Sequence, residues 1–158
     1  MSVQTSYQIS QDSAYAGQIY GQGARSVFSR SVETTEGIPF GVAVSRGTDP
    51  GKQVALGGTD FVGITVRSLD FEGAVNTGDI FYKENDTAAI MRRGAVWVIC
   101  PSGCVAGDEV KYTRSTGVLD SSGVVAGDSS IFRAYWDSTA AAGDLAVIVI
   151  ETTEVSVF

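Results

Sequence analysis

Cys100 and Cys104 are the only two cysteines in this chain of 158 residues, and they stand beside Asp108 and Glu109 in "CPSGCVAGDEVKY". Thiolates next to carboxylates could hold a metal or run a redox step. A structural zinc site takes about four ligands, usually two Cys pairs or Cys with His. This chain has no histidine and no second cysteine pair. The redox CxxC motif places two residues between its cysteines, and here three intervene. The residues therefore imply no metal and no cofactor, and both cysteines read as buried or half-buried thiols flanking the Pro101-Ser102-Gly103 turn. The opening residues, "MSVQTSYQISQDSAYAG", have neither the basic start nor the apolar stretch of a signal peptide. Synthesis in a reducing cytoplasm is expected, which disfavours a disulfide across the turn.

Other constellations fare no better as catalysts. Without histidine no Ser-His-Asp or Cys-His triad can be built. Asp12, Glu33, Glu36, Asp108 and Glu109 lie in turns or polar segments. Catalytic carboxylates need burial or a like-charged neighbour to shift their pKa, so solvated carboxylates are the expectation. "DSSGVVAGD" lacks the ligand spacing of a calcium loop. "VAGDEV" resembles a pattern of biotinyl and lipoyl carrier domains, but "AIMRRG" offers no lysine to modify. The expected number of catalytic residues is none, and the chain is expected not to be an enzyme. Arg92 and Arg93 could grip an anion, but neighbours on a strand face opposite ways, which favours two separate contacts. Trp97 and Trp136 could stack on a ligand, yet their apolar surroundings favour packing.

The formal net charge of −7, with eleven scattered basic residues, argues against nucleic acid as a partner. No apolar run reaches the ~20 residues of a membrane helix, so no membrane partner is expected.

These residues must be positioned by strands. From Ile38 onward, Ile38, Phe40, Val42 and Val44 alternate with small residues, and Val62, Ile64 and Val66 repeat the pattern. "AVWVIC" is apolar at every position and is expected to be buried on both faces. "IFYKE", "VKYT", "SIFRAYW" and "LAVIVIE" are further short strands, with turns about every ten residues. Gly78-Asp79, Gly107-Asp108, Gly127-Asp128 and Gly143-Asp144 each precede an apolar strand and read as strand-opening turns. The expectation is an all-β fold, a single compact β-sandwich or β-barrel over 37–158. Residues 1–36, rich in Ser, Gln, Gly and Thr, read as an extended N-terminal arm without its own core.

The order of these segments resembles the structural cement, or capsid decoration, proteins of tailed bacteriophages. "AYAGQIYGQGARSVFSRSVE" is similar to the family's N-terminal "AG-x-I…G-x-R" arm. "IPFGVAVSRG" resembles its Pro-Phe-Gly strand, and "FVGITVRS" its "F-x-G-I" strand. "GDIFYKENDTAAIMRRGAVWV", "VAGDEVKY" and "STAAAGDLAVIVIE" resemble its later landmarks. Together they cover residues 14 to 151. The resemblance implies a non-enzymatic virion protein on the outer surface of the mature capsid, made in the host bacterial cytoplasm. Its partners would be the major capsid protein, whose neighbouring subunits it bridges to stabilise the shell, and itself, as a homotrimer (similar proteins also form dimers). On that reading Tyr15, Ile19, Tyr20, Arg25, Phe28 and Arg30 of the arm contact the capsid. Val155, Val157 and Phe158 then contact a neighbouring copy as a swapped or docked tail. The competing readings are a β-barrel ligand- or glycan-binding module, with Trp97 or Trp136 exposed in a pocket, and another virion component such as a head fibre or adaptor.

Overall fold

A computed structural model describes residues 14–67, 81–122, 129–151 and 155–157. Every regular element among them is a strand. In chain order they are β1 (Ser26–Val32), β2 (Ile38–Pro39), β3 (Ala43–Arg46), β4 (Gln53–Ala55), β5 (Phe61–Val66), β6 (Phe81–Tyr82), β7 (Thr87–Ile99), β8 (Glu109–Tyr112), β9 (Leu119–Asp120), β10 (Ser129–Trp136), β11 (Leu145–Ile150) and β12 (Val155–Val157).

The fold is all-β, and it contains a barrel. β1, β4, β3, β5 and β7 pair in that order, and β7 pairs back to β1, closing a five-stranded ring. Closure removes the open edges that would otherwise seek another chain. The thirteen-residue β7 outruns the barrel. Its second half pairs with β11, and the sheet continues through β10, β8 and β9. β12 pairs antiparallel with β10, placing Val155 opposite Ile131 and Val157 opposite Ser129.

Two cores follow from this shared strand. Val32, Ile38, Phe40, Val42, Val44, Val54, Val62, Tyr82, Ala88 and Ile90 form one cluster. The other joins the outer side of the barrel to the second sheet, through Ile64, Val66, Met91, Val96, Val98, Tyr112, Trp136, Ile148 and their neighbours. β5, buried at all six positions, lies between them.

The structure revises several sequence expectations. The alternating run from Ile38 to Val44 does share one core, but a turn at Phe40-Gly41 splits it into β2 and β3. Val62 does not face the same way as Ile64 and Val66. Ser45 pairs with Phe61 while Val44 pairs with Gly63, so Val62 is bulged and turns into the other core. Residues 26–36 do not belong to an arm lacking a core. β1 is a barrel strand, and Val32 at its end is fully buried. Residues 1–13 lie outside the described residues.

Candidate functional site

The N-terminal segment lies along the edge of β7's second half that is not paired with β11, with Ile19 packed against the second core. Val96, Val98 and Cys100 point into that core and are fully buried. Ala95, Trp97 and Ile99 point the other way. Residues 17–20 run antiparallel to residues 95–97. The Gly17 amide donates to the Trp97 carbonyl at 2.7 Å, the Trp97 amide donates to Gln18 at 2.8 Å, and the Tyr20 amide donates to Ala95 at 2.9 Å. Ile19 forms an isolated antiparallel bridge with Val96. A fourth bond, from the Arg67 amide to the Gly17 carbonyl at 2.7 Å, ties the segment to the end of β5.

Gly17 makes this clip possible. Its φ is +81°, and an added Cβ would stand 2.8 Å from Phe40 Cβ and 3.0 Å from the Arg67 nitrogen. Only glycine meets both demands without displacing the backbone.

The clip presents aromatic side chains outward. The Tyr20 ring meets Trp97 edge-to-face, centroids 5.6 Å apart and planes at 83°. The Arg67 guanidinium lies 4.8 Å from the centre of the Tyr15 ring. Tyr15 is 53% exposed, Tyr20 47% and Ile99 48%. Tyr15, Ala16, Trp97, Ile99 and Leu145 line an open groove of about 640 Å³. Ile99 also borders a second, more apolar groove with Phe40, Pro101 and Leu119.

"AVWVIC" is therefore not buried on both faces. Its inner face is sealed, while on its outer face the Tyr20 ring packs on a half-buried Trp97 and Ile99 stays exposed. Sequence reasoning missed Ile99, Arg67 and Gly17. A run that is apolar at every position carries no sign of which alternate residues stay open.

The remaining expected contact residues are spread out. Arg25 precedes β1, and Phe28 and Arg30 are on it, along the antiparallel pair with β7. Gly107-Asp108 stands directly before β8, with Gly107 at φ +98°, and Asp108 accepts from the Val105 amide at 2.9 Å. Gly143-Asp144 stands directly before β11, with Gly143 at φ +83°. Gly78, Asp79, Gly127, Asp128 and Phe158 lie outside the described residues, as does Asp12.

The cysteine turn has an interior role. Both thiols are free and buried. Cys100 Sγ is 3.6 Å from an Asp120 carboxylate oxygen, and Cys104 Sγ donates to the Ser138 carbonyl at 3.3 Å. Burial, then the neighbouring Cys104, push the Cys100 thiol up to about 11. Burial also raises Cys104. Such thiols are poor nucleophiles at neutral pH. Asp120 accepts from the Ser102 hydroxyl at 2.7 Å, and the Ser121 hydroxyl donates to the Gly103 carbonyl at 2.6 Å, holding the turn to β9. Among the described residues no three His, Cys, Asp or Glu side chains gather as metal ligands. Trp136 is fully buried.

Comparison with known proteins adds to this geometry. No curated protein matches the chain. Among solved structures, a chain from the capsid of Myoviridae phage XM1 is similar in fold, with a TM-score of 0.69 at 17% identity, covering 98% of this chain and 100% of that one. The head fibre gp8.5 N base of bacteriophage phi29 aligns over 84% of this chain and 99% of its own, with a TM-score of 0.48 at 14% identity. The sequence profile of the structural cement protein family (E217 gp24/Pam3 gp6) matches residues 3–151. With nearly its whole length matched, this chain belongs to the phage structural cement protein family.

Proposed function

We propose that this protein decorates the outer surface of a mature phage capsid, without enzymatic activity, and bridges neighbouring major capsid subunits. The observation that carries the reading is the strip of exposed Tyr15, Tyr20 and Ile99 around a half-buried Trp97, where a clip fixed by backbone hydrogen bonds meets β7, in a chain of the cement family. Aromatic side chains held in place lose little entropy on docking and suit the centre of an interface. A protein that binds the assembled lattice better than free subunits stabilises the lattice by mass action. Self-association as a homotrimer belongs to the same proposal, and light scattering of the isolated protein tests it. A glycan-binding module is less well supported, because Trp136 is buried and Trp97 already holds Tyr20.

Removing residues 1–36 would delete β1 and open the barrel, so the test uses side chains. Undecorated expanded heads are mixed with wild type, Tyr15→Ala and Ile99→Ser, and bound protein is measured by sedimentation. Losing a central anchor is expected to weaken binding by at least about tenfold. Undiminished binding of both variants would remove this strip from the interface.

A further inference from the structure

Four of the chain's eight arginines lie along the β1–β7 pair, Arg25, Arg92 and Arg93 toward the Ser26 end and Arg30 opposite Ala88 near the other. Ser26 pairs with Arg93 while Val27 pairs with Met91, so Arg92 is the extra residue of a β-bulge. Bulges break strand alternation and re-aim a side chain. Arg92 consequently lies over the Phe28 ring, its guanidinium 4.3 Å from the centroid, and Arg30 lies 4.7 Å from the same centroid. Arg25 packs against Gly94, next to Arg93, its Cβ 3.0 Å from where a Cβ on Gly94 would stand. Val27, between them, is 39% exposed.

The placement is costly for an isolated chain. Like charges repel, and the protein has carboxylates in excess with which to offset them. Yet among the described residues the ion pairs are Arg46–Asp60 and Lys52–Asp49, and none of the four arginines has a carboxylate within ion-pair distance. Glu33, Glu84 and Asp86 stand beyond the Ser31–Thr87 end of the pair, past Arg30, and none of them forms an ion pair with it. Among the described residues, none of these four arginines has a carboxylate partner.

We propose that this patch docks an acidic segment of the capsid subunit, its carboxylates pairing with the arginines while the exposed Val27 supplies apolar contact. The proposal rests on the capsid-binding reading and names the chemistry of the partner surface. Guanidinium forks match carboxylates bidentately. A nucleic acid offers anions too, but a continuous polyanion would run past the patch onto a body of net charge −7. A short acidic segment avoids that repulsion, because charges beyond about 10 Å are screened at ordinary salt.

The test has two arms. In the first, fluorescence anisotropy measures binding of a labelled oligo-glutamate peptide and of a labelled DNA duplex, from low salt to about 0.5 M. The proteins are wild type, Arg25→Glu/Arg93→Glu, Arg30→Gln/Arg92→Gln, and a control, Lys83→Glu/Lys111→Glu, that changes the charge as much as the first pair. The expected result is salt-sensitive peptide binding that falls at least about tenfold in both arginine pairs and less than about twofold in the control. Equal loss in the control overturns the proposal, as does no loss in the arginine pairs, and tighter binding of duplex DNA overturns the choice of partner. In the second arm the same proteins are added to undecorated heads. Patch-dependent peptide binding with no wild-type decoration sinks the capsid reading alone. Decoration that ignores both arginine pairs and salt sinks this inference alone.

Discussion

The Gly17 amide donates to the Trp97 carbonyl at 2.7 Å, and this bond anchors residues 17–20 to the second half of β7. It makes the position of Tyr15 and Tyr20 a property of the sheet rather than of a free tail. Gly17→Ala tests that dependence. A left-handed alanine costs roughly 1–2 kcal/mol, and its Cβ would also press on Phe40 Cβ. We expect a stability loss of about 2 kcal/mol in urea unfolding and faster exchange of the Trp97 and Tyr20 amides. Unaltered exchange at both amides would mean that the clip does not depend on Gly17.

Tyr82 is fully buried, and its hydroxyl donates to the Val66 carbonyl at 2.6 Å, joining β6 to the end of β5. Its ring also meets Phe40 edge-to-face at 4.8 Å. Tyr82→Phe keeps the ring and strands a buried carbonyl. Chemical denaturation should show a loss of about 1–3 kcal/mol with an unchanged m-value. A variant as stable as wild type would show that the carbonyl finds another donor.

Glu33 receives two hydrogen bonds from Thr48, one from the amide at 2.7 Å and one from the hydroxyl. The hydroxyl bond first, then the amide bond, hold the Glu33 carboxyl below its usual value of 4.5. A carboxylate with a depressed folded pKa stabilises the fold above the unfolded pKa, and that contribution disappears as pH falls through the folded pKa. Wild type should therefore exceed Glu33→Gln in stability at pH 7, and the gap should close as pH falls from about 4.5 toward 3. A gap that stays constant across that range would rule out the ionised Glu33 as its source.

The cysteines should behave as packing groups. With Cys100 raised to about 11 and both thiols buried, reaction with a disulfide reagent at pH 7 should be slow in the native state and fast in denaturant. Cys100→Ser/Cys104→Ser is expected to bind heads like wild type while losing about 1–3 kcal/mol of stability. Release of decorated protein by a reductant or chelator would show that the pair does more than pack.

Much of the architecture was legible in local pattern. Alternating apolar residues such as Ile38, Phe40, Val42 and Val44, together with turn residues about every ten positions, determine an all-β chain, because period-2 burial suits only strands. The order of the short motifs also marked the cement family. The buried thiols flanking Pro101-Ser102-Gly103 could be read from the sequence as well, since "CPSGC" joins an apolar strand to a turn.

Other features depend on which strands meet. The barrel closes because β1 pairs with β7 across more than fifty residues of chain; no local pattern encodes that pairing, so "SVFSRSV" reads as polar arm until its partner is known. The same pairing forces the bulge at Arg92 that gathers Arg30 and Arg92 on one ring, where strict alternation placed Arg92 and Arg93 apart. Ile99 stands exposed beside Tyr15 and Ala16 of the clip, and that neighbourhood follows from the pairing of two segments about eighty residues apart. Side-chain period is a local quantity, whereas register and coverage are set by contacts between distant segments, and on this chain the candidate surfaces are built from such contacts.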